Sequence, residues 1–262
     1  MHPLGLGLGL GLGSSQQATA QEWTPALLPN INTWFDAKQG IVLDGARVAT
    51  WTDVINGKVY TGAALTAAPT YDNTDKALVF DSASGQYMTR THTLNAQTNL
   101  TYIFIFKMID DTTKYQYLLD NNGTVTQIRM GFTSYSGTPK TGYAYMYGGV
   151  SMLLAAVSLA KQQAAYRMYL YNYLTNNGST SKITAYKAKA DGTDLTLAAT
   201  AVAATNTFNN DNPLYLGRMY YGNDRFLNGK LKSIISIVGT PLNSDIETLI
   251  TWATAYYSLD VE

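Results

Sequence analysis

The chain has 262 residues, long enough to bury a substantial core, and a β-sandwich of this size commonly forms one domain. Only 14% of residues are charged, and the 18 Lys plus Arg match the 18 Asp plus Glu, so no long-range field draws the chain to nucleic acid or an anionic membrane. The lack of cysteine excludes disulfides, thiolate zinc sites and cysteine nucleophiles together.

The first residues carry five Leu-Gly pairs, Leu4 to Gly13. In an extended segment the period of two sets Leu4, Leu6, Leu8, Leu10 and Leu12 on one face and bare glycine backbone on the other, a strip that wants a mating surface. The run is too short to cross a bilayer as a helix, and each glycine would weaken one by about 1 kcal/mol relative to alanine. As a signal peptide it has an apolar run and a small-residue site at Ala18-Thr19-Ala20, but it lacks a basic n-region, since only His2 precedes the run. Two readings stay open: an assembly arm with its linker over residues 1–22, which the missing basic charge favours, and a cleaved leader. Residues 23–262 read as the globular β-sandwich.

Trp23 to Pro29 opens that part, its prolines suiting an extended lead-in. Ile31 to Asp36 alternates and predicts a strand, Leu43 to Arg47 a turn, and Val48 to Asp53 a second strand ending at Asn56-Gly57. Pro69 to Tyr71, Ala77 to Asp81 and Tyr87-Met88 follow as short strands. Asn99 to Met108 is a near-continuous run of β-branched and aromatic residues and predicts a central strand buried on both faces.

Tyr115 to Asp120 and Val125 to Phe132 predict a hairpin across Asn121-Asn122-Gly123. Tyr143, Tyr145 and Tyr147 then share one strand face. Ser151 to Lys161 is Ala-rich and read as β. Ala165 to Leu174 alternates, with Tyr166, Met168, Leu170 and Asn172 set against Arg167, Tyr169, Tyr171 and Tyr173. Ile183 to Lys189 and Leu195 to Ala201 predict a further hairpin across Asp191-Gly192-Thr193.

The stretch that organises the rest is Pro213 to Val238. Two apolar strands flank the polar loop Met219 to Arg225, which predicts a β-hairpin at the heart of a sheet. After it, Asn243 or Ser244 supplies an N-cap and Glu247 a first-turn acid. Ile246, Leu249, Ile250, Ala253 and Tyr257 then fall on one helical face, predicting a single C-terminal helix against the sandwich rim.

Several of these segments form an ordered set: Trp34-Phe35-Asp36-Ala37, Val48-x-x-Trp51-x-Asp53, Pro69-x-Tyr71, Val79-Phe80-Asp81 and Gln86-Tyr87-Met88. Near the end come Leu214-Tyr215-Leu216-Gly217-Arg218 and Phe226-x-Asn228-Gly229-x-Leu231. Their order over roughly residues 31 to 257 resembles the laminin-G-like, concanavalin-A-like lectin and glucanase jelly-roll domains. Ser82 stands where that family often has glycine, and the middle third matches little. The resemblance implies an all-β jelly-roll sandwich, here with an extended N-terminal arm and one C-terminal helix. Domains of this kind serve as glycosidases, lectins or structural modules, so the fold alone assigns no activity.

The inventory for acid–base chemistry is poor. Histidine occurs at His2 and His92 alone, 15 of the acids are Asp, and the glutamates are Glu22, Glu247 and Glu262. Laminarinase-like members of the resembled superfamily use two glutamates on one strand, and no such pair exists here. His92 has no nucleophile elbow for company, which argues against a serine triad. The expectation is a protein that is not an enzyme.

Twenty tyrosines are the strongest compositional bias. Tyr220 and Tyr221 with Asn223, Asp224 and Arg225 in the organising loop, or Tyr143, Tyr145 and Tyr147 on their strand, combine aromatic faces with planar hydrogen-bonding groups, as a glycan surface requires. The same rings equally suit a subunit interface. Asp110-Asp111, Asp120-Asn121-Asn122, Asn209 to Asn212 and Asn223-Asp224 are oxygen-rich loops that fit calcium or plain turns. The sequence therefore points to a structural or adhesin component of a phage-like virion, held to other assembly proteins by its arm and displaying a sandwich to cell-surface glycans at the virion or extracellular surface. Three-fold self-packing in a homo-oligomer would satisfy the Leu strip, as would a different protein. The alternative is a secreted or periplasmic carbohydrate-binding lectin.

Overall fold

A computed structural model of the chain describes residues 22–64, 66–91, 99–109, 115–121, 128–133, 141–146, 150–153, 166–175, 181–188, 195–203, 213–219 and 226–259. The Leu-Gly leader and His92 lie outside them. After a 3-10 turn at Pro25–Leu27 come β1 (Ile31–Asp36), β2 (Ile41–Asp44), β3 (Arg47–Thr52), β4 (Val59–Gly62), β5 (Thr70–Asp72), β6 (Ala77–Phe80), β7 (Met88–Arg90) and β8 (Asn99–Met108). The second half holds β9 (Tyr115–Asn121), β10 (Ile128–Thr133), β11 (Thr141–Met146), β12 (Val150–Leu153), β13 (Arg167–Thr175), β14 (Ser181–Ala188), β15 (Leu195–Ala203), β16 (Leu214–Leu216), β17 (Gly229–Val238) and α1 (Asn243–Tyr257).

All pairings are antiparallel and sort into two sheets. In the first, β17 lies between β8 on one edge and β1 plus β6 on the other, and the sheet continues from β8 through β13 and β14 to β15. In the second, β2, β3, β4, β7, β16, β9, β10, β11 and β12 follow one another. The hairpin of β5 and β6 ties the two along one side, through the bridge of Arg47 to Thr70.

The strand alternation sets what each face buries. Phe35, Trp51, Tyr60, Phe104, Tyr171 and Leu216 fill the space between the sheets. Trp34, Ile103, Ile105, Leu170, Ile235 and Ile237 point the other way, where Ile246, Leu249, Ile250 and Ala253 of α1 cover them. The molecule therefore has three layers, and β8 is buried on both faces because a sheet lies on one side and the helix on the other. Burial of this kind stabilises by about 1.5–3 kcal/mol for each large apolar side chain.

The residues of the ordered motifs have structural tasks. Trp51 donates its indole N–H to the backbone oxygen of Asp36 at 3.1 Å. Asp53 accepts from the backbone N–H of Trp34 at 2.6 Å and of Asn56 at 2.7 Å, which closes the loop before β4.

Three expectations need correction. β16 and β17 are not a hairpin: beyond the single bridge of Arg218 to Phe226 they part, β16 entering the second sheet and β17 the first. The helix covers a sheet face rather than the rim, because its apolar stripe meets the outward isoleucines of β8 and β17. Its N-cap is Leu242, whose backbone N–H is taken by Asp245 at 3.4 Å, so Asp245 and not Glu247 is the first-turn acid. The strand expected over Ser151 to Lys161 is β12 through Leu153, and residues 154–161 lie outside the described part.

Candidate functional site

Leu214 and Leu216 are fully buried, and the strand period turns Tyr215 between them to the opposite face of the second sheet. Gln86 and Met88 are likewise buried, which turns Tyr87 outward beside it. The two rings lie 6.2 Å apart, tilted by 41°. Gly217 then takes φ 88°, and a Cβ there would meet the ring of Phe80 at 2.5 Å, so both backbone and space demand glycine. That turn carries Arg218 back over the rings: its guanidinium carbon sits 4.4 Å from the centroid of Tyr87, 5.2 Å from that of Tyr215 and 5.9 Å from that of Phe226. The bridge of Arg218 to Phe226, with the N–H of Leu227 donating to Gly217 O at 2.8 Å, closes the root of the Met219 to Arg225 loop.

Strand register extends this cluster into a row. Thr89 faces Tyr215, Tyr215 faces Asp120, Asp120 faces Arg129, and Arg129 faces the position of Tyr145. Arg129 Nε donates to the carboxylate of Asp120 at 3.1 Å, with the Asp120 side chain fully buried. A charge pair of that burial holds its geometry because either partner left alone would be costly. The surface thus offers tilted aromatic rings and a stacked guanidinium, and the buried Asp120–Arg129 pair fixes the strands beneath them. Such groups suit the apolar faces and hydroxyl edges of a saccharide.

Of the residues expected to bind glycan, Tyr220, Tyr221, Asn223, Asp224, Arg225 and Tyr147 lie outside the described residues. Tyr143 and Tyr145 belong to β11, and the register places that strand in the same sheet as β16. Tyr87, Tyr215, Asp120 and Arg129 were not among the expected site residues. Alternation around Tyr87 and Tyr215 marks both as outward-facing, whereas the meeting of Asp120 and Arg129 follows from strand order. Asp120 also belongs to one of the oxygen-rich loops considered for calcium, and its carboxylate is committed to Arg129. Among the described residues no three His, Cys, Asp or Glu side chains gather as a metal site would require.

No protein-family model matches the sequence, and no curated protein matches it. Solved structures do. A mutant of Trypanosoma rangeli sialidase displaying trans-sialidase activity aligns with a TM-score of 0.54 at 14% identity, over 86% of this chain and 33% of that one. The binding domain of Paraclostridial Mosquitocidal Protein 1 aligns with a TM-score of 0.55 at 9% identity, over 87% and 52%. The binding domain of Botulinum neurotoxin DC, solved in complex with rat synaptotagmin II, gives a TM-score of 0.52 at 10% identity, over 85% and 51%. The chain thus spans about a third to a half of the length of these structures. Likeness at such identities establishes a shared all-β sandwich-like fold. The narrower laminin-G-like assignment rests on the motif order alone.

Proposed function

We propose that the protein is a non-enzymatic carbohydrate-binding display module that receives glycan on the outer face of its second sheet. The observation that carries this reading is the outward cluster of Tyr87 and Tyr215 under the Arg218 guanidinium, held on a sheet that the buried Asp120–Arg129 pair braces. The same fold in toxin binding domains supports a binding role, and the scarcity of histidine and glutamate supports the absence of catalysis. Sialidase chemistry belongs to those neighbours and is not carried over.

A glycan array probed with the full chain tests the reading. Tyr215→Ala and Arg218→Ala should each weaken retention on the best ligand at least tenfold, which is about 1.4 kcal/mol. A blank array, or retention unchanged in both variants, overturns it.

The Leu-Gly leader completes the reading as an anchor to other proteins of a larger particle, in the manner of a phage-like virion component at a virion or extracellular surface. Deleting residues 1–13 should abolish incorporation into that particle. Retention of the truncated chain in assembled particles, or a mature chain starting at Gln21, would favour the secreted lectin instead.

A further inference from the structure

A concavity opens on the opposite side of the sandwich, where the end of α1 meets the first sheet. It measures about 430 Å³ and is lined by Lys38, Asp75, Lys76, Tyr166, Lys232 and Tyr256 among others. Three ammonium groups and one carboxylate converge there in a chain whose formal net charge is zero.

Lys232 reaches this cleft through a defect in β17. The pairing of β17 with β8 slips between Leu231 and Ser233, and at the same point its other edge changes partner from β6 to β1. Leu231 and Ile234 consequently both face the core between the sheets, three positions apart. Lys232 is the extra residue. A bulge of this kind re-aims a side chain and is over-represented beside functional sites. The outcome is a lysine in the middle of a central strand, only 8% exposed, at the floor of an open cleft.

Its bonding is incomplete for so buried a cation. Lys232 Nζ donates to Tyr257 O at 3.0 Å and lies 4.0 Å from the centroid of Tyr166. An ammonium group has three donors, so capacity remains after the carbonyl and the ring face. The acid whose charge acts on it, Asp75, is already taken: its carboxylate accepts Lys230 at 2.5 Å and the Tyr166 hydroxyl at 3.3 Å. Among the described residues no carboxylate lies within ion-pair reach of Lys232. Burial holds the pKa of Lys232 below the ordinary lysine value, with Asp75 raising it and Lys38, Lys230 and Lys107 lowering it further.

Capping of the helix end accounts for part of this arrangement. Lys38 donates to Tyr256 O at 2.5 Å, as Lys232 does to Tyr257 O, and both cations suit the negative end of α1. That role occupies one donor on each lysine. It does not explain why Lys76, bonded to Asn73 across the turn, converges on the same space.

We propose that this cleft is an oxyanion site, in which a sulfate, phosphate or carboxylate group of a small ligand seats against Lys232, with Lys38 and Lys76 at the rim and the rings of Tyr166 and Tyr256 as walls. The site stands apart from the glycan surface, being on the helix side of the first sheet. Failure of either reading leaves the other intact.

Calorimetric titration of the full chain at constant ionic strength tests it, with sodium sulfate, phosphate, acetate and glucuronate each compared against chloride. The expected result is saturable binding of at least one oxyanion, weakened tenfold or more by Lys232→Gln and several-fold by the exposed Lys38→Gln. Lys58→Gln, which removes the same charge outside the cleft, should leave the isotherm unchanged. Glucuronate binding tenfold tighter than acetate assigns the anion to a sugar held by the tyrosines, and equal affinity assigns it to the free oxyanion. If Lys232→Gln does not fold, Lys38→Gln decides. No saturable isotherm, or one that Lys38→Gln and Lys232→Gln leave unmoved, overturns the proposal.

Discussion

The Tyr257 hydroxyl donates to the carboxylate of Asp36 at 3.0 Å, across 221 positions of sequence. Asp36 is fully buried at the end of β1, and the same carboxylate also accepts the Tyr256 hydroxyl at 2.9 Å, the backbone N–H of Lys38 at 3.0 Å and the side-chain amide of Gln39 at 3.1 Å. Four donors on one buried carboxylate fasten the last turn of α1 to the first sheet. Burial, and then the adjacent charge of Asp36, push the Tyr257 hydroxyl well above the usual tyrosine pKa, so it remains a donor throughout the physiological range. Asp36→Ala strands these donors and should cost about 3 kcal/mol, whereas Tyr257→Phe removes one bond and should cost about 1 kcal/mol. Urea unfolding measures both, and equal costs would refute the hub.

Gly229 opens β17 beneath the ring of Phe106. A Cβ at this position would lie 2.3 Å from that ring and 2.6 Å from Lys107 O. Because Phe106 is itself locked in the core between the sheets, Gly229→Ala should destabilise by about 2 kcal/mol or more through overpacking. Gly45, at φ 59° with nothing near its Cβ position, should lose only about 1 kcal/mol on the same change. Adding Phe106→Leu should recover part of the loss at Gly229 and none at Gly45. Thermal unfolding of the four variants distinguishes these outcomes.

What the sequence discloses here follows the range of the forces involved. β1, β3, β8 and α1 were legible because their spacing of apolar residues is a local signal that packing then honours. β16 and β17 read as a hairpin because the polar loop Met219 to Arg225 and the flanking apolar runs say that strands exist, not which sheet each joins. Strand partnership depends on residues nearly a hundred positions away, as with Leu216 beside Leu119. Burial of β8 on both faces already required a third layer, and only the helix was left to supply it. The bulge at Lys232 was hidden for a related reason: a slip of register exists only relative to neighbouring strands. The outward turn of Tyr215 could be read from Leu214 and Leu216, but the row that joins it to Asp120 and Arg129 could not.

Lys230 bridges Asp72 at 2.7 Å and Asp75 at 2.5 Å. Its hydrogen bonds hold both carboxylates below their usual pKa of 3.8, while Lys230 itself is raised, since these bonds outweigh the lowering by burial. For the two acids the stabilisation is present above pH 3.8 and is lost as pH falls through their depressed folded-state values. For the lysine it is present below pH 10.5 and is lost as pH rises through its elevated value. The groups are partly exposed, so Lys230→Met should cost about 1 kcal/mol or less at neutral pH. The sharper consequence is a flatter stability profile below pH 4, read from unfolding midpoints across an acid series. An unchanged acid slope in Lys230→Met would show that the triad does not govern acid sensitivity.

Arg90 places a guanidinium in the core between the sheets, 5.3 Å from the centroid of Phe35 and 5.1 Å from that of Tyr60. The residue is only 5% exposed, and among the described residues its Nε and Nη1 have no hydrogen-bond partner, the side chain being bonded to the Tyr60 hydroxyl alone. Two cation–π contacts return about 1–2 kcal/mol each when desolvated. Desolvating the ion costs several kcal/mol, so the balance runs against the charge. Arg90→Met keeps the apolar stem between the two rings and discards the guanidinium, and it should stabilise the fold by about 1–2 kcal/mol. In a chain of this size that is a rise in melting temperature of about 2–8 °C. Arg90→Ala removes the stem as well and should destabilise through the cavity it leaves. Differential scanning calorimetry of both variants decides the matter. A loss of stability in Arg90→Met comparable to that in Arg90→Ala would mean that the guanidinium is itself a net stabilising element of the core.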